Sequence, residues 1–250
     1  MTRPDMSVQL YTVRDRLETD PEGTIAALAD LGFTVVEPFG LPELPEAVRA
    51  AMAAHGLHAP TAHGSLLARP AETIAAASAL GVRTIIEPYQ DPARFTDRAS
   101  IAAVAAELTA AAALAAPHGI SVGYHNHDGE LRGSIDGLAP LLVLAELTDP
   151  SVVFELDAYW AAVAGVDGAA IARALGDRLV AVHVKDGDPA GGVEHQVPAG
   201  LGSVPLAAVL AAAPHARPVV EFDIMPGEGW DAIAASAGFV SAFVAEEAGL

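Results

Sequence analysis

Residues 152–186 read VVFELDAYWAAVAGVDGAAIARALGDRLVAVHVKD, and this stretch decides the fold. Two short β-branched and apolar runs, Val152 to Asp157 and Leu179 to Val184, flank a segment of helical period from Asp167 to Leu175. A period of two, then one of 3.6, then two again describes a strand, a helix and a second strand. Each run carries a residue with useful chemistry near its end, Asp157 in the first and His183 in the second.

The same unit recurs in both directions. Further strands are expected at SVQLYT from Ser7, TVVE from Thr34, LHAPTAH from Leu57, VRTIIEP from Val82, ISVGYH from Ile120 and PVVEFD from Pro218. Helices are expected over Pro21 to Leu31, Pro42 to His55, Pro70 to Leu80, Asp97 to Ala116, Gly137 to Leu147, Pro205 to Ala213 and Trp230 to Glu247, besides Asp167 to Leu175. Several open on Pro or Asp and close on Gly, as at Gly32, Gly56, Gly81 and Gly119. Eight β-then-α units in 250 residues predict an α/β chain folded as a single (β/α)8 barrel over residues 1–250. The alternative is an open doubly wound sheet, but no Gly-rich phosphate loop follows the first strand.

Composition narrows the functions. Thirteen Lys and Arg stand against 32 Asp and Glu, a formal charge of −19, so nucleic acid and anionic membrane surfaces are not expected partners. The chain has no Cys, which removes disulfides, thiol nucleophiles and thiolate metal sites. Any metal must therefore be held by His and carboxylate. The opening MTRPDMSVQL lacks the basic start and apolar stretch of a secretory signal, and a cytoplasmic location is expected. Ile101 to Ala116 is apolar but carries Glu107 and Thr109, and reads as a buried helix rather than a membrane span.

In a barrel of this kind the active site lies at the C-terminal ends of the strands. Those ends supply Gln9 and Tyr11, Glu37, His63, Glu87 and Tyr89, His125 with Asn126 and His127, Asp157 with Tyr159 and Trp160, His183 with Lys185 and Asp186, and Glu221 with Asp223. A single Glu at such a place, like Glu37 or Glu87, more often partners a loop amide than a ligand. Asp157, His183 and Glu221 end three consecutive strands and so converge on one side of the barrel mouth. Their mixed nitrogen and oxygen donors suit one divalent ion: Mn, Co, Zn or Mg. Lys185 lies two residues past His183 and shares its face, where an ammonium can bind a substrate hydroxyl or carbonyl. Tyr11, Trp160 and Trp230 offer apolar faces for a sugar ring.

The Gln9 to Asp15 segment QLYTVRD, the element Gly32 to Glu37, the run Tyr124-His-Asn-His127 with Glu130 after it, Leu156-Asp157, His183-Val-Lys-Asp186, Gly200-Leu-Gly202 and Val220-Glu221 together resemble the xylose isomerase-like TIM barrels of the sugar phosphate isomerase/epimerase family. The resemblance covers nearly the whole chain. It implies a divalent metal held by an acidic residue after strand five, an Asp after strand six, a His after strand seven and a Glu after strand eight. The last three map onto Asp157, His183 and Glu221. Strand five departs from the pattern, since His125 stands where many relatives place Glu. The fourth ligand is then His125, His127 or Glu130, or water. The implied reaction is isomerisation or epimerisation, in which the metal polarises a carbonyl and stabilises an enediolate. Glu221 takes the proton on one face and His125 serves the other. The same residues suit β-elimination from a keto-sugar, keto-glycoside or inosose. His63 resembles a strand-three His that contacts substrate in relatives, and His127 and Glu87 are further candidate substrate contacts.

Apurinic endonucleases share this barrel, but the charge of −19 and the shortage of extra His and Asp at the strand ends argue against that activity. A non-catalytic sugar-binding subunit is the other alternative. No Arg cluster is apparent for a substrate phosphate. The expected partners are a small carbohydrate substrate and, from the apolar helix faces, a second copy in a homodimer.

Overall fold

The computed structural model describes residues 5–227 and 229–249. Eight parallel strands, β1 (Ser7–Gln9), β2 (Val35–Glu37), β3 (Thr61–His63), β4 (Thr84–Glu87), β5 (Ser121–His125), β6 (Val153–Asp157), β7 (Leu179–Val184) and β8 (Arg217–Val220), pair in the order β2-β1-β8-β7-β6-β5-β4-β3. The seam between β2 and β3 is closed by backbone hydrogen bonds that each join one strand to a residue just outside the other. Val36 N donates to His58 O at 3.0 Å and Leu41 N to His63 O at 3.1 Å. The result is the expected (β/α)8 barrel, with helices between consecutive strands.

The helices follow their caps. Asp20 accepts from Gly23 N at 2.9 Å ahead of the helix Pro21–Asp30, and Asp97 accepts from Ser100 N at 2.8 Å ahead of Arg98–Ala115. The helix expected from Pro42 starts only at Glu46, because Pro45 disfavours helical backbone at Leu44. That expected from Gly137 starts at Pro140, since Gly137 is left-handed with φ of 86° and Ala139 is extended before a proline. The strand expected from Leu57 shrinks to Thr61–His63, because Pro60 has no N–H to give to a ladder.

The segment Arg98–His118 is long and apolar enough to span a membrane by composition alone. In the fold it is an outer helix of the barrel: Ile101, Val104 and Leu108 are buried in the core, while Arg98 pairs with Glu146 and Glu107 with Arg94, each at 2.8 Å.

Strand alternation divides the core in two. Val8, Val36, Ile85, Val122, Phe154, Leu156 and Val182 face the helices and join one large apolar cluster. Val35, Ile86, Ala181 and Val219 are equally buried and belong to the opposite face, inside the barrel. Gly123 makes room there: a Cβ would lie 2.5 Å from Ile86 Cδ1. Past β7 the chain forms a short antiparallel pair, Asp186–Gly187 with Gln196–Val197, over the barrel mouth.

Candidate active site

Above the apolar floor the inward face turns polar. Ladder pairing sets His125 opposite Glu155 and Asp157 opposite His183. Period-two alternation then stacks Glu155 with Asp157 on β6, His183 with Lys185 beyond β7, and Glu221 with Asp223 beyond β8. Two adjoining donor sets result, and His183 belongs to both.

The outer set is Asp157, His183 and Glu221, whose donor atoms lie within 4.8 Å of one another. His183 Nδ1 is 2.5 Å from Glu221 Oε2. Asp157 Oδ1 caps the short helix Ala158–Val163 by accepting from Trp160 N at 3.0 Å, which leaves Asp157 Oδ2 to face Lys185. Lys185 Nζ stands among the carboxylates, 2.9 Å from Asp157 Oδ2, 2.7 Å from Glu221 Oε2 and 3.1 Å from Asp223 Oδ1. Gln196 holds Asp223 from the other side, donating to Oδ2 at 2.7 Å and accepting from the Asp223 amide at 2.8 Å.

The inner set is His63, His125, Glu155 and His183, also within 4.8 Å of one another. Glu155 Oε2 is 2.6 Å from His63 Nε2, 3.1 Å from His125 Nδ1 and 3.0 Å from His183 Nε2. Glu37 Oε1 lies 2.9 Å from His183 Nε2 and accepts from Gln9 Nε2 at 2.9 Å, while its other oxygen accepts from Thr61.

These contacts set the protonation states. Burial drives the Asp157 carboxyl up to about 6 against the pull of Lys185 and His183. Burial also raises Glu221, but the Lys185 ammonium and His183 outweigh it and hold this carboxyl well below its usual range. Burial disfavours a charged His183, yet Glu155 and Glu221 overcome it and lift the imidazole well above its ordinary value. His125 goes the other way: burial and then the neighbouring His183 push it well below, so it is neutral near pH 7.

A cavity of about 290 Å³ opens over both sets and is lined by His63, His125, His127, Lys185 and Glu221, with Tyr11, Phe39 and Tyr89 among its apolar walls. Of the residues singled out in the sequence, it brings together Tyr11, His63, His125, His127, Lys185 and Glu221. Asp157 and His183 lie fully buried behind them. Trp160 does not line the cavity; its ring centroid is 5.6 Å from that of His127. Trp230 is farther away, under the Arg16 guanidinium.

Glu87 follows the inward-facing Ile86 and so turns toward the helices. Its carboxylate accepts from Leu67 N at 3.0 Å and from Gln90 Nε2 at 2.9 Å, which is the loop-partner role. Glu130 accepts from Tyr124 Oη at 2.6 Å and from His127 N at 3.1 Å, so both its oxygens fasten the loop after β5 and neither reaches the donor sets.

Sequence reasoning passed over Glu155, which sits mid-strand, and counted too few donors in the barrel mouth as a result. The signal was present in VFELD, where Glu155 falls two residues before Asp157 and so on the same face. Asp223 and Gln196 were likewise underweighted.

The donors fit a divalent ion. Among the described residues Glu155 Oε1 is a buried oxygen with no hydrogen bond, and both sets mix imidazole nitrogen with carboxylate oxygen.

The model of the xylose isomerase-like TIM barrel family matches residues 25–218. The chain belongs to this family. Its fold is similar to that of a sugar phosphate isomerase/epimerase from Parabacteroides distasonis, with a TM-score of 0.80 and 20% identity over 98% of this chain and 96% of that one. It is similar to the IolI protein, whose structure holds a zinc atom, with a TM-score of 0.76 and 15% identity over 97% and 99% of the two chains. It also resembles the probable 3-DHS dehydratase AsbF of Bacillus anthracis, with a TM-score of 0.73 and 13% identity over 95% and 99%. No curated protein matches the chain in sequence. Solved structures with this fold thus carry names for both isomerase and dehydratase chemistry.

Proposed function

We propose that this family member is a divalent-metal-dependent isomerase or epimerase of an uncharged keto-sugar, acting by removal of a proton from a carbon beside the carbonyl. One observation carries the reading: Asp157, His183 and Glu221 converge on the floor of a sugar-sized cavity with Lys185 among them. A divalent ion on those three residues supplies the Lewis acidity that makes the adjacent C–H acidic.

The chain's own groups account for the rest. Glu221 is the base, and it gains basicity when Lys185 turns from its carboxylate to a substrate oxygen, because the ammonium is what holds its affinity for protons down. His125 approaches from the β5 side as a neutral imidazole, with Nδ1 anchored at Glu155 and Nε2 left to exchange a proton with the substrate. Tyr11, Phe39 and Tyr89 give the ring an apolar wall. Among the described residues that line the cavity, Lys185 is the one cation of the Lys/Arg type and three carboxylates already hold it. A phosphorylated or carboxylated substrate would meet that negative field unpaired, which favours a neutral sugar.

The similarity to a dehydratase supports β-elimination as the second reading, since it begins with the same proton removal. Ketoses, keto-glycosides and inososes incubated with the Mn-loaded protein in deuterated water test both. Exchange of the α-proton is expected, slowed about 10²-fold or more by Glu221→Gln. An isomeric product identifies an isomerase, and an unsaturated ketone identifies a lyase. A metal-loaded protein that exchanges none of them is a binding subunit, and the proposal fails.

A further inference from the structure

The inner set has its own account to settle. Glu155 Oε2 faces three ring nitrogens, from His63, His125 and His183, all within 3.1 Å. His183 Nε2 also lies 2.9 Å from Glu37 Oε1 and bonds there, so Glu155 Oε2 keeps the rings of His63 and His125 as its hydrogen-bond partners. The other oxygen of the same carboxylate is buried and has no hydrogen bond. Three imidazoles gathered round one carboxylate in this way are arranged as metal donors are.

Charge leads to the same place. Glu37, Glu155, Asp157 and Glu221 are buried and Asp223 borders them, while Lys185 is the ammonium in their midst. The Lys185 ammonium contacts Asp157, Glu221 and Asp223, whereas the rings of His63, His125 and His183 are what surrounds Glu155, so a cation placed there is attracted to a buried carboxylate that no ammonium reaches. His63 and His125 also line the cavity, so an ion reaches the inner set from the same opening.

We propose that His63, His125, Glu155 and the Nε2 side of His183 form a second divalent-metal site beneath the one formed by Asp157, Glu221 and the Nδ1 side of His183. His183 would offer Nδ1 to the outer site and Nε2 to the inner one, releasing its ring protons to solvent when both are filled. His125, with Nδ1 turned to the inner site, would carry its proton on Nε2 and face the cavity as a donor. The inner site concerns the same barrel mouth as the proposed activity but uses ligands of its own, so each stands or falls separately.

The test is a count of ions. The chelated full-length protein, shown to be folded by circular dichroism, is titrated with Co²⁺ and Zn²⁺, and bound metal and Co²⁺ absorption are read. Two equivalents are expected, with one retained in Glu155→Gln and one in Asp157→Asn. If Glu155→Gln does not fold, His63→Asn carries the same expectation. One equivalent or none in the wild type overturns the proposal, as does a Glu155→Gln protein that folds and still holds two. A single equivalent lost in Asp157→Asn and kept in Glu155→Gln would leave the catalytic metal reading standing while the second site fell.

Discussion

Lys185 Nζ lies 2.7 Å from Glu221 Oε2, the oxygen that His183 Nδ1 also approaches at 2.5 Å. Lys185 is 2% exposed, so this ammonium has left water and depends on Glu221, Asp157 and Asp223 for its solvation. The dependence is mutual, because the three carboxylates lose their one ammonium if it goes.

Lys185→Met is therefore expected to cost the metal-free protein about 3–5 kcal/mol, the usual penalty for stripping one partner from a buried ion pair. Urea unfolding in the presence of chelator measures it. The cost shrinks when divalent metal is added, because the ion replaces the missing positive charge. Equal losses with and without metal would show that the carboxylates do not bind it.

His125 and Glu130 are expected to behave differently under substitution. His125→Ala removes a donor next to Asp157 and His183, and should weaken zinc affinity about ten-fold or more. Glu130→Gln should leave zinc affinity unchanged, because both oxygens of Glu130 are spent on Tyr124 and the His127 amide. It should instead lose about 1–3 kcal/mol of stability through the buried Tyr124 hydroxyl. A chelator competition assay and a thermal melt on each variant separate these effects, and a zinc loss in Glu130→Gln would place the carboxylate among the ligands.

Glu87 predicts a pH effect away from the metal donors. Burial raises its carboxyl above the ordinary value, only partly offset by hydrogen bonds from Leu67 and Gln90. A carboxyl raised in the folded state favours folding while protonated, so its contribution is fully present below the ordinary Glu value and is lost as pH rises through the raised one. Glu87→Gln should remove this component. Stability measured across pH 4–7 (about the span in which Glu groups titrate) should fall less steeply in the variant than in wild type, and superimposable profiles would contradict the assignment.

Gly202→Ala should destabilise the loop over the barrel mouth. Asp186 Oδ2 accepts from Gly200 N at 2.9 Å and Gly202 N at 3.1 Å, and Oδ1 from Val204 N at 3.0 Å. A Cβ at position 202 would run into Asp186 Oδ1 and the Gly187 amide, and backbone on that side cannot yield. About 1–3 kcal/mol is expected for such overcrowding, read as a lower Tm. An unchanged melting temperature would mean the loop can rise off Asp186 freely.

Much of the barrel was legible because its signals are local. The apolar runs at Val152 and Leu179, and the Pro and Asp caps at Pro21, Asp97 and Asp167, declare strands and helix starts within a few residues. Boundaries failed where proline or left-handed glycine intervened, at Pro45, Pro60 and Gly137, since these override hydrophobic periodicity with a backbone constraint.

The residues by themselves determined the eightfold alternation, the acidic surface, the lack of thiol chemistry and the placing of Asp157, His183, Lys185 and Glu221 at strand ends. Period-two geometry even ties Glu155 to Asp157 and His183 to Lys185. Only the tertiary structure decided which of these faces meet. His63 and Glu155 are 92 positions apart, and His183 and Glu37 146, yet their polar atoms are 2.6 Å and 2.9 Å apart. Closing the β2–β3 seam and fixing the ladder registers turned Glu37 and Glu155 into the middle of the barrel and Glu87 out of it. The physical reason is that a strand's own sequence sets which residues share a side, whereas the side that becomes the interior, and the height at which neighbouring strands align, depend on hydrogen bonds to other strands.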